Sequence, residues 1–222
     1  MRAARTTIAT VAALCAFMAL APAASATTGR NTESAGTKAG IELQKEPATS
    51  KPVVALYKGK KINLAQSWEG AQACTEVTSG DVYCYASSKE ADQALPTIDP
   101  SAAAAAAQRK TIRPAGPSRV ASPMGSPDCS YPWVCLWENS NYTGRKLQWS
   151  TGGTKQLSTW GFRDTASSGC VNRISGGALV YDARDWLPDP YMALGNLGCY
   201  DFTTVGYPTG GNWNDKADYI EF

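Results

Sequence analysis

The sequence predicts an all-β fold for the C-terminal half of the chain. From Cys129 onward, short runs rich in β-branched and aromatic residues alternate with Gly, Pro, Asn and Asp. Six of the seven tryptophans lie between Trp133 and Trp213. This spacing is typical of a compact antiparallel sandwich or barrel. The β-prone runs are residues 133–137, 145–149, 170–174, 178–181, 199–202 and 219–222.

The first 26 residues have the features of a secretory signal peptide. Arg2 and Arg5 precede an apolar run from Ile8 to Leu20, and an Ala-x-Ala sequence at 24–26 offers a cleavage site. The apolar run is too short to span a bilayer. We therefore expect a secreted, extracellular product that has no membrane association after cleavage.

Cysteine number and spacing predict three disulfides. Six cysteines remain after residue 26, and an even number in an exported chain is typical of a disulfide framework. Zinc is the alternative, but the chain has no C-x-x-C spacing and no histidine. Cys74 and Cys84 enclose a short segment and are expected to pair, joining a short helix to a strand. The six cysteines are Cys74, Cys84, Cys129, Cys135, Cys170 and Cys199.

Charge and composition argue against several functional classes. Removing residues 1–26 takes away two of the 21 basic residues, which leaves 19 basic against 19 acidic side chains. A chain without a basic surplus is not expected to bind nucleic acid or an anionic membrane as its main partner. The absence of histidine excludes Ser-His-Asp, Cys-His and His-dependent zinc hydrolases. The acidic residues of the β region form no recognisable pair, so we predict a protein that is not an enzyme.

Composition divides the rest of the chain into four segments. Residues 27–50 are small and polar and are expected to form a disordered linker. Residues 51–95 predict a small disulfide-stapled α+β module with a hairpin at 53–64 and a short helix at 65–74. Residues 96–127 form an Ala/Pro-rich linker, in which the alanine run 101–110 should be helical when packed. The β domain then covers residues 128–222.

A short acidic pattern occurs twice in the β domain. Asp164 begins the sequence Asp-Thr-Ala-Ser-Ser, and Asp215 begins Asp-Lys-Ala-Asp-Tyr. Trp137 lies seven residues before Gly144, which can supply the positive φ of a tight hairpin. Together these features resemble the βγ-crystallin Greek key, of which one domain contains two. The resemblance implies a βγ-crystallin-like two-Greek-key sandwich, although Tyr181 in the second key is followed seven residues later by Pro188 instead of glycine.

The β domain also resembles the actinobacterial peptidase-inhibitor family typified by the Streptomyces metalloproteinase inhibitor. The residues that carry this resemblance are 129–136, Cys-Ser-Tyr-Pro-Trp-Val-Cys-Leu, and 199–206, Cys-Tyr-Asp-Phe-Thr-Thr-Val-Gly. It implies a secreted, non-enzymatic inhibitor of extracellular peptidases that needs no cofactor, and we expect a monomer. The resemblance also implies the disulfide pairs Cys129–Cys135 and Cys170–Cys199.

Inhibitors of this kind present a stiff loop to the peptidase, and residues 182–197 are the candidate. Two prolines would restrain this loop, and its aromatic side chains would anchor it to the partner. The alternative is that these aromatic residues pack on the sandwich. The predicted protein-binding residues are Trp186, Pro188, Pro190, Tyr191 and Met192.

The crystallin resemblance implies that Ca²⁺ can bind at the two acidic segments. The candidate ligands are Asp164 and Ser167 in the first copy and Asp215 and Asp218 in the second. Oxygen-only ligation suits Ca²⁺. Because Arg163 adjoins the first copy, we expect the second copy to be the stronger site. Two alternatives remain open: the segments are structural corners only, or the protein is a calcium-binding module with a structural, antimicrobial or cell-wall-binding role.

Overall fold

The structure is a computed structural model that describes residues 51–112, 127–185 and 188–222. The predicted signal peptide (1–26), the linker 27–50, the Pro-rich part of the second linker (113–126) and Trp186 lie outside these ranges. No helix in the described ranges is long and apolar enough to cross a membrane.

Most of the regular structure in the described residues is β-strand, which confirms the all-β prediction. The helices are α1 (Ser88–Ile98) and α2 (Pro100–Ile112), with single 3₁₀ turns at Ser140–Tyr142, Leu157–Trp160 and Phe202–Thr204. The strands are β1 (Val54–Tyr57), β2 (Lys60–Asn63), β3 (Ala73–Glu76), β4 (Val82–Tyr85), β5 (Val134–Asn139), β6 (Thr143–Trp149), β7 (Thr154–Gln156), β8 (Ser168–Val171), β9 (Ala178–Tyr181), β10 (Tyr191–Leu194), β11 (Gly198–Asp201) and β12 (Tyr219–Glu221).

The strands form two sheets. One has the order β11-β8-β5-β6-β3-β4-β1-β2, and the other has the order β10-β9-β12-β7. Four strands of each sheet follow the same order: β6-β5-β8-β11 in the larger sheet and β10-β9-β12-β7 in the smaller one. Each strand of one run corresponds to the strand that lies four strands earlier or later in the chain. The C-terminal region therefore contains two equivalent four-strand units, and each gives its third strand to the sheet of the other.

Residues 51–85 extend the larger sheet instead of forming a separate one. β3 pairs with β6 in parallel, from Ala73 opposite Lys146 to Glu76 opposite Trp149. Trp68 Nε1 donates to the carbonyl of Trp160 at 2.8 Å, and these two tryptophans belong to one buried cluster. The predicted module and the β domain thus share one sheet and one hydrophobic core.

The prediction of a short helix at 65–74 is wrong. The chain turns there, with Glu69 and Gly70 at φ 47° and 87°, and these left-handed conformations interrupt a helix. The helix of this region is α1, which begins after Ser87, whose side chain accepts from the backbone N–H of Glu90. The alanine run forms α2, as predicted.

The three disulfides join the expected cysteines: Cys74–Cys84, Cys129–Cys135 and Cys170–Cys199. Cys74–Cys84 connects strand β3 to strand β4, and does not connect a helix to a strand, because the two residues face each other across this antiparallel pair. Cys170 and Cys199 face each other in the same way on β8 and β11. Each bridge therefore stays within residues 51–112 or within residues 127–222.

Candidate functional site

The chain between β9 and β10 forms a loop that is closed at its base. Asp182 N–H donates to the carbonyl of Pro190 at 3.1 Å, directly beyond the pairing of Tyr181 with Tyr191. The loop therefore covers residues 182–190 and is shorter than the predicted 182–197, because residues 191–194 pair with β9 as strand β10.

Two carboxylates hold the sides of this loop. Asp218 Oδ2 accepts from the N–H of Ala183 at 2.6 Å, and Asp189 Oδ1 accepts from the N–H of Arg184 at 2.8 Å. The other oxygen of Asp189 accepts from the hydroxyl of Tyr219 at 3.0 Å. Burial, and then this hydrogen bond, raise the pKa of Tyr219, so its hydroxyl stays a donor. Asp189 thereby ties the loop to β12.

A third set of contacts fixes the first residues of the loop. The hydroxyl of Tyr207 donates to Asp182 and accepts from the guanidinium of Arg184. The same guanidinium lies 5.2 Å from the centre of the Tyr207 ring, a cation–π arrangement. The backbone from 182 to 184 is therefore held by side chains from three other parts of the chain.

The predicted binding residues have different positions around this loop. Pro188 is exposed, and Pro190 lies half-buried at the loop base. Tyr191 is 59% exposed at the start of β10, whereas Met192 is 5% exposed and belongs to the core. The prediction that Met192 is a binding residue is corrected, because successive side chains of a strand point to opposite faces. Trp186 lies outside the described residues.

The three tyrosines beside the loop form a ladder across the smaller sheet. Tyr191 and Tyr181 face each other on β10 and β9, with ring centres 5.8 Å apart. Tyr181 and Tyr219 stack at 4.5 Å with an interplanar angle of 7°. The exposed ring of Tyr191 therefore packs against Tyr181, which in turn stacks on Tyr219.

Sequence reasoning did not identify Asp189, Tyr207 or Tyr219 as loop anchors. Of these three residues, only Asp189 has a recognisable sequence pattern. It lies between Pro188 and Pro190, and the fixed φ angles of these prolines restrict the backbone on both sides of its carboxylate. Tyr207 and Tyr219 come from distant parts of the chain, so no local pattern connects them to the loop.

The two acidic segments lie side by side as related corners. Asp164 N–H donates to Ala217 and Asp215 N–H donates to Ala166, at 2.9 and 3.2 Å. Asp164 and Asp215 share a left-handed backbone, with φ 52° and 55°. Three residues later in each copy, Ser167 and Asp218 donate their N–H groups to the carbonyls of Trp137 on β5 and Tyr181 on β9, at 2.9 and 2.8 Å.

The first of these corners is open. Ser167 Oγ donates to Asp215 Oδ1 at 3.1 Å, so the hydroxyl of one copy meets the carboxylate of the other. Asp164 lines the same polar hollow, and three of the four predicted calcium ligands are thus brought together. The hollow is lined by Glu138, Asn139, Ser140, Asp164, Thr165, Ser167, Asn214 and Asp215.

The second corner is closed by an arginine. Asp218 is 1% exposed, and its Oδ1 contacts the guanidinium of Arg163. Burial raises the pKa of Asp218 to about 6, although the N–H of Ala183 and the charge of Arg163 act in the opposite direction. Asp218 does not line the hollow with Asp215, so the geometry favours the opposite ranking of the two sites from the one that the sequence predicts.

The corner hairpin has the geometry predicted from Trp137 and Gly144. Gly144 has φ 78°, and a Cβ atom there would lie 2.7 Å from Nδ2 of Asn139. The ring of Trp137 packs edge-on against Tyr142 at 5.5 Å. Within residues 51–112, 127–185 and 188–222, no group of three or more His, Cys, Asp or Glu side chains is arranged to hold a metal ion.

Comparison with models of known protein families gives a match to this region. The model for peptidase inhibitor family I36 matches residues 122–194, which include strands β5 to β10 and the loop 182–190. A search of curated proteins and a search of solved structures found no match. The matched residues are fewer than half of the chain, and they support a peptidase-inhibitor family for this protein.

Proposed function

We propose that the protein inhibits an extracellular peptidase by inserting loop 182–190 into its cleft. The observation that carries this proposal is the closure of the loop base, where the N–H groups of Asp182, Ala183 and Arg184 all have acceptors. A loop whose first residues are already held by hydrogen bonds loses less conformational entropy when it binds, so more of the contact energy is expressed as affinity.

The surroundings of the loop suit a protein partner. Asp185 and Pro188 are exposed on the loop, and Tyr191 offers a braced aromatic ring next to it. Aromatic side chains supported in this way are common anchors in protein interfaces. The three disulfides fit an oxidising, extracellular location.

An inhibition screen tests this function. The mature chain is assayed against metallo-, serine and cysteine peptidases, with Asp189→Ala as the loop variant and Asp201→Ala as the control. Asp201 also accepts backbone hydrogen bonds, from Asn141 and Thr203, and neither of these donors belongs to the loop. We expect wild type and Asp201→Ala to inhibit one peptidase class equally and Asp189→Ala to inhibit it less. If no class is inhibited at micromolar excess, the proposal is wrong.

A second candidate function is Ca²⁺ binding at the open corner, in a domain of the βγ-crystallin type. The observation in its favour is the meeting of Ser167 and Asp215 in a polar hollow that Asp164 also lines. Oxygen ligands from carboxylates and hydroxyls suit Ca²⁺. A glycan-binding role through tryptophans is less well supported, because all six tryptophans in the described residues are buried.

A further inference from the structure

A buried lysine contacts a carboxylate between helix α1 and strand β6. The side chain of Lys146 on β6 is fully buried, and its Nζ lies 2.8 Å from Oδ1 of Asp92 on α1. The backbone carbonyl of Asp128 also accepts from this Nζ. Lys146 is thus held at the junction of the two predicted regions of the chain.

Burial opposes the charged form of each partner, and the other partner's charge acts against this effect. Burial lowers the pKa of Lys146, although Asp92 raises it, and burial raises the pKa of Asp92, although Lys146 lowers it. The ring of Trp137 lies 5.7 Å from Nζ, a cation–π distance at which the ring favours the charged amine and, like Asp92, acts against burial. A neutral amine is nucleophilic, and a neutral carboxylic acid can be attacked at its carbon.

We propose that Lys146 and Asp92 condense to form an intramolecular amide bond. The Nζ lone pair attacks Cγ of Asp92 and forms the C–N bond. The C–O bond to the acid hydroxyl then breaks, and this hydroxyl leaves as water with a proton from Nζ. One molecule of water is lost, no oxidation occurs, and no further reactant is needed.

We assign the proton transfer in this reaction to Asp128. Its backbone carbonyl accepts from Nζ of Lys146, and Asp128 lines the same surface hollow as Asp92. As the C–N bond forms, Asp128 takes a proton from Nζ and returns it to the departing hydroxyl. Asp92 and Asp128 both line a surface hollow, and Asp92 retains 19% of its side-chain exposure, so the released water has a path to solvent.

The bond would add a connection that the disulfides do not provide. Cys74–Cys84 lies within residues 51–112, and the other two bridges lie within 127–222. Apart from the chain itself, the two regions are held by the pairing of β3 with β6 and by core packing. An amide between Asp92 and Lys146 would join them covalently, and it would persist in reducing conditions.

Intact mass of the purified mature protein, after reduction of the disulfides, tests the proposal. We expect a mass lower than that of the sequence by one water molecule, and a digest that contains a branched peptide joining Asp92 to Lys146. Lys146→Met and Asp92→Ala should each restore the full mass. Asp128→Asn should slow the reaction and leave a mixture of the two masses.

Two controls keep the test decisive if a variant folds poorly. Lys155 on β7 also pairs with a carboxylate, that of Glu76, so Lys155→Arg should keep the mass deficit. Circular dichroism reports whether each variant is folded. Folded wild-type protein at full mass, without a branched peptide, would show that the pair is an ordinary buried ion pair. A deficit located elsewhere by fragmentation would also refute the proposal.

Discussion

The guanidinium of Arg163 contacts the buried carboxylate of Asp218, and this ion pair fills one of two related corners. The other corner has Ser167 at the position equivalent to Asp218, and its hydroxyl donates to Asp215. Because an internal cation already occupies the corner of Asp218, the open corner is the better site for an external cation, although Arg163 also lies 3.6 Å from Oδ2 of Asp164.

We therefore predict one Ca²⁺ site, which depends on Asp215 and not on Asp218. Saturating Ca²⁺ should raise the melting temperature of the wild type, since a ligand at 100 times its Kd stabilises the native state by about 2.7 kcal/mol. Asp215→Asn should lose this rise, and Asp218→Asn should keep it. Calorimetry and thermal unfolding with and without Ca²⁺ measure both effects.

Two other outcomes would contradict this prediction of a single Ca²⁺ site. If Asp218→Asn loses the effect of Ca²⁺ as Asp215→Asn does, the ranking predicted from the sequence is right and the structural ranking is wrong. If wild-type protein shows neither heat nor thermal shift, the two corners only shape the fold.

Stability should depend on pH through Asp218. Its pKa is raised to about 6 by burial, so the folded state binds the proton more tightly than the unfolded state. Its contribution therefore favours folding below about pH 4 and is lost as the pH rises through about 6. Relative to Asp218→Asn, wild-type protein should lose on the order of 2 kcal/mol of unfolding free energy between about pH 4 and about pH 7.

Urea denaturation of both proteins across this pH range measures the difference. A constant difference would mean that Arg163 and the N–H of Ala183 compensate the buried charge completely. Arg163→Ala provides a second check, because it should enlarge the loss at neutral pH and have little effect at low pH.

Local patterns in the sequence predicted six of the eight strands of the β domain, and missed β7 and β10. They also predicted the Cys74–Cys84 bridge, whereas the family resemblance implied the other two disulfides. Strands such as β5 and β9 can be recognised from their own sequences, because their side chains are of the types that favour strands. The pairing of β3 with β6 could not be predicted, because parallel neighbours lie far apart in the chain and β3 reads Ala-Cys-Thr-Glu, a weak strand pattern.

The candidate site was predicted in part, for physical reasons that differ between residues. Pro188 and Pro190 indicated a restrained loop, and the structure closes it at Pro190. Met192 was misplaced because the start of β10 was not recognised, and a strand buries alternate side chains. The role of Asp218 could not be read from spacing, because it depends on the direction in which the side chain of Arg163 turns.

Loosening the loop should weaken inhibition more than it weakens the fold. Tyr219→Phe removes only the hydroxyl that binds Asp189, and Asp189→Ala removes the acceptor for both Tyr219 and Arg184. We expect the inhibition constant to rise several-fold for Tyr219→Phe and about tenfold for Asp189→Ala, since ordering a side chain or loop segment costs about 0.5–1.5 kcal/mol.

Inhibition constants and melting temperatures should be measured together for these variants. If Asp189→Ala and the control Asp201→Ala bind the peptidase equally tightly, the closed loop base is not what gives affinity. If affinity falls only in proportion to the melting temperature, the effect is on folding and not on the loop.

Asp99 connects helix α2 to the sheet and should be the most sensitive carboxylate for stability. It is 2% exposed, and it accepts from the N–H groups of Thr78 and Ala102 at 2.8 and 3.0 Å and from the hydroxyls of Ser101 and Ser150 at 2.6 and 2.8 Å. Burial alone would raise its pKa, but these hydrogen bonds lower it to about 2.

Asp99→Asn should therefore destabilise the protein by about 2–4 kcal/mol at neutral pH, because the amide cannot accept from all of these donors and leaves buried groups unpaired. Since the folded-state pKa is depressed, the stabilisation is present above about pH 4 and is lost as the pH falls through about 2. Urea denaturation of wild type and Asp99→Asn should thus give curves that converge on acidification. Asp81→Asn, at an exposed turn where Asp81 accepts from Ser79, is the control and should change stability by less than about 0.5 kcal/mol. If wild type and Asp99→Asn differ in unfolding free energy by as much at about pH 2 as at neutral pH, then the shape of the Asp99 side chain, and not its charge, holds α2 to the sheet.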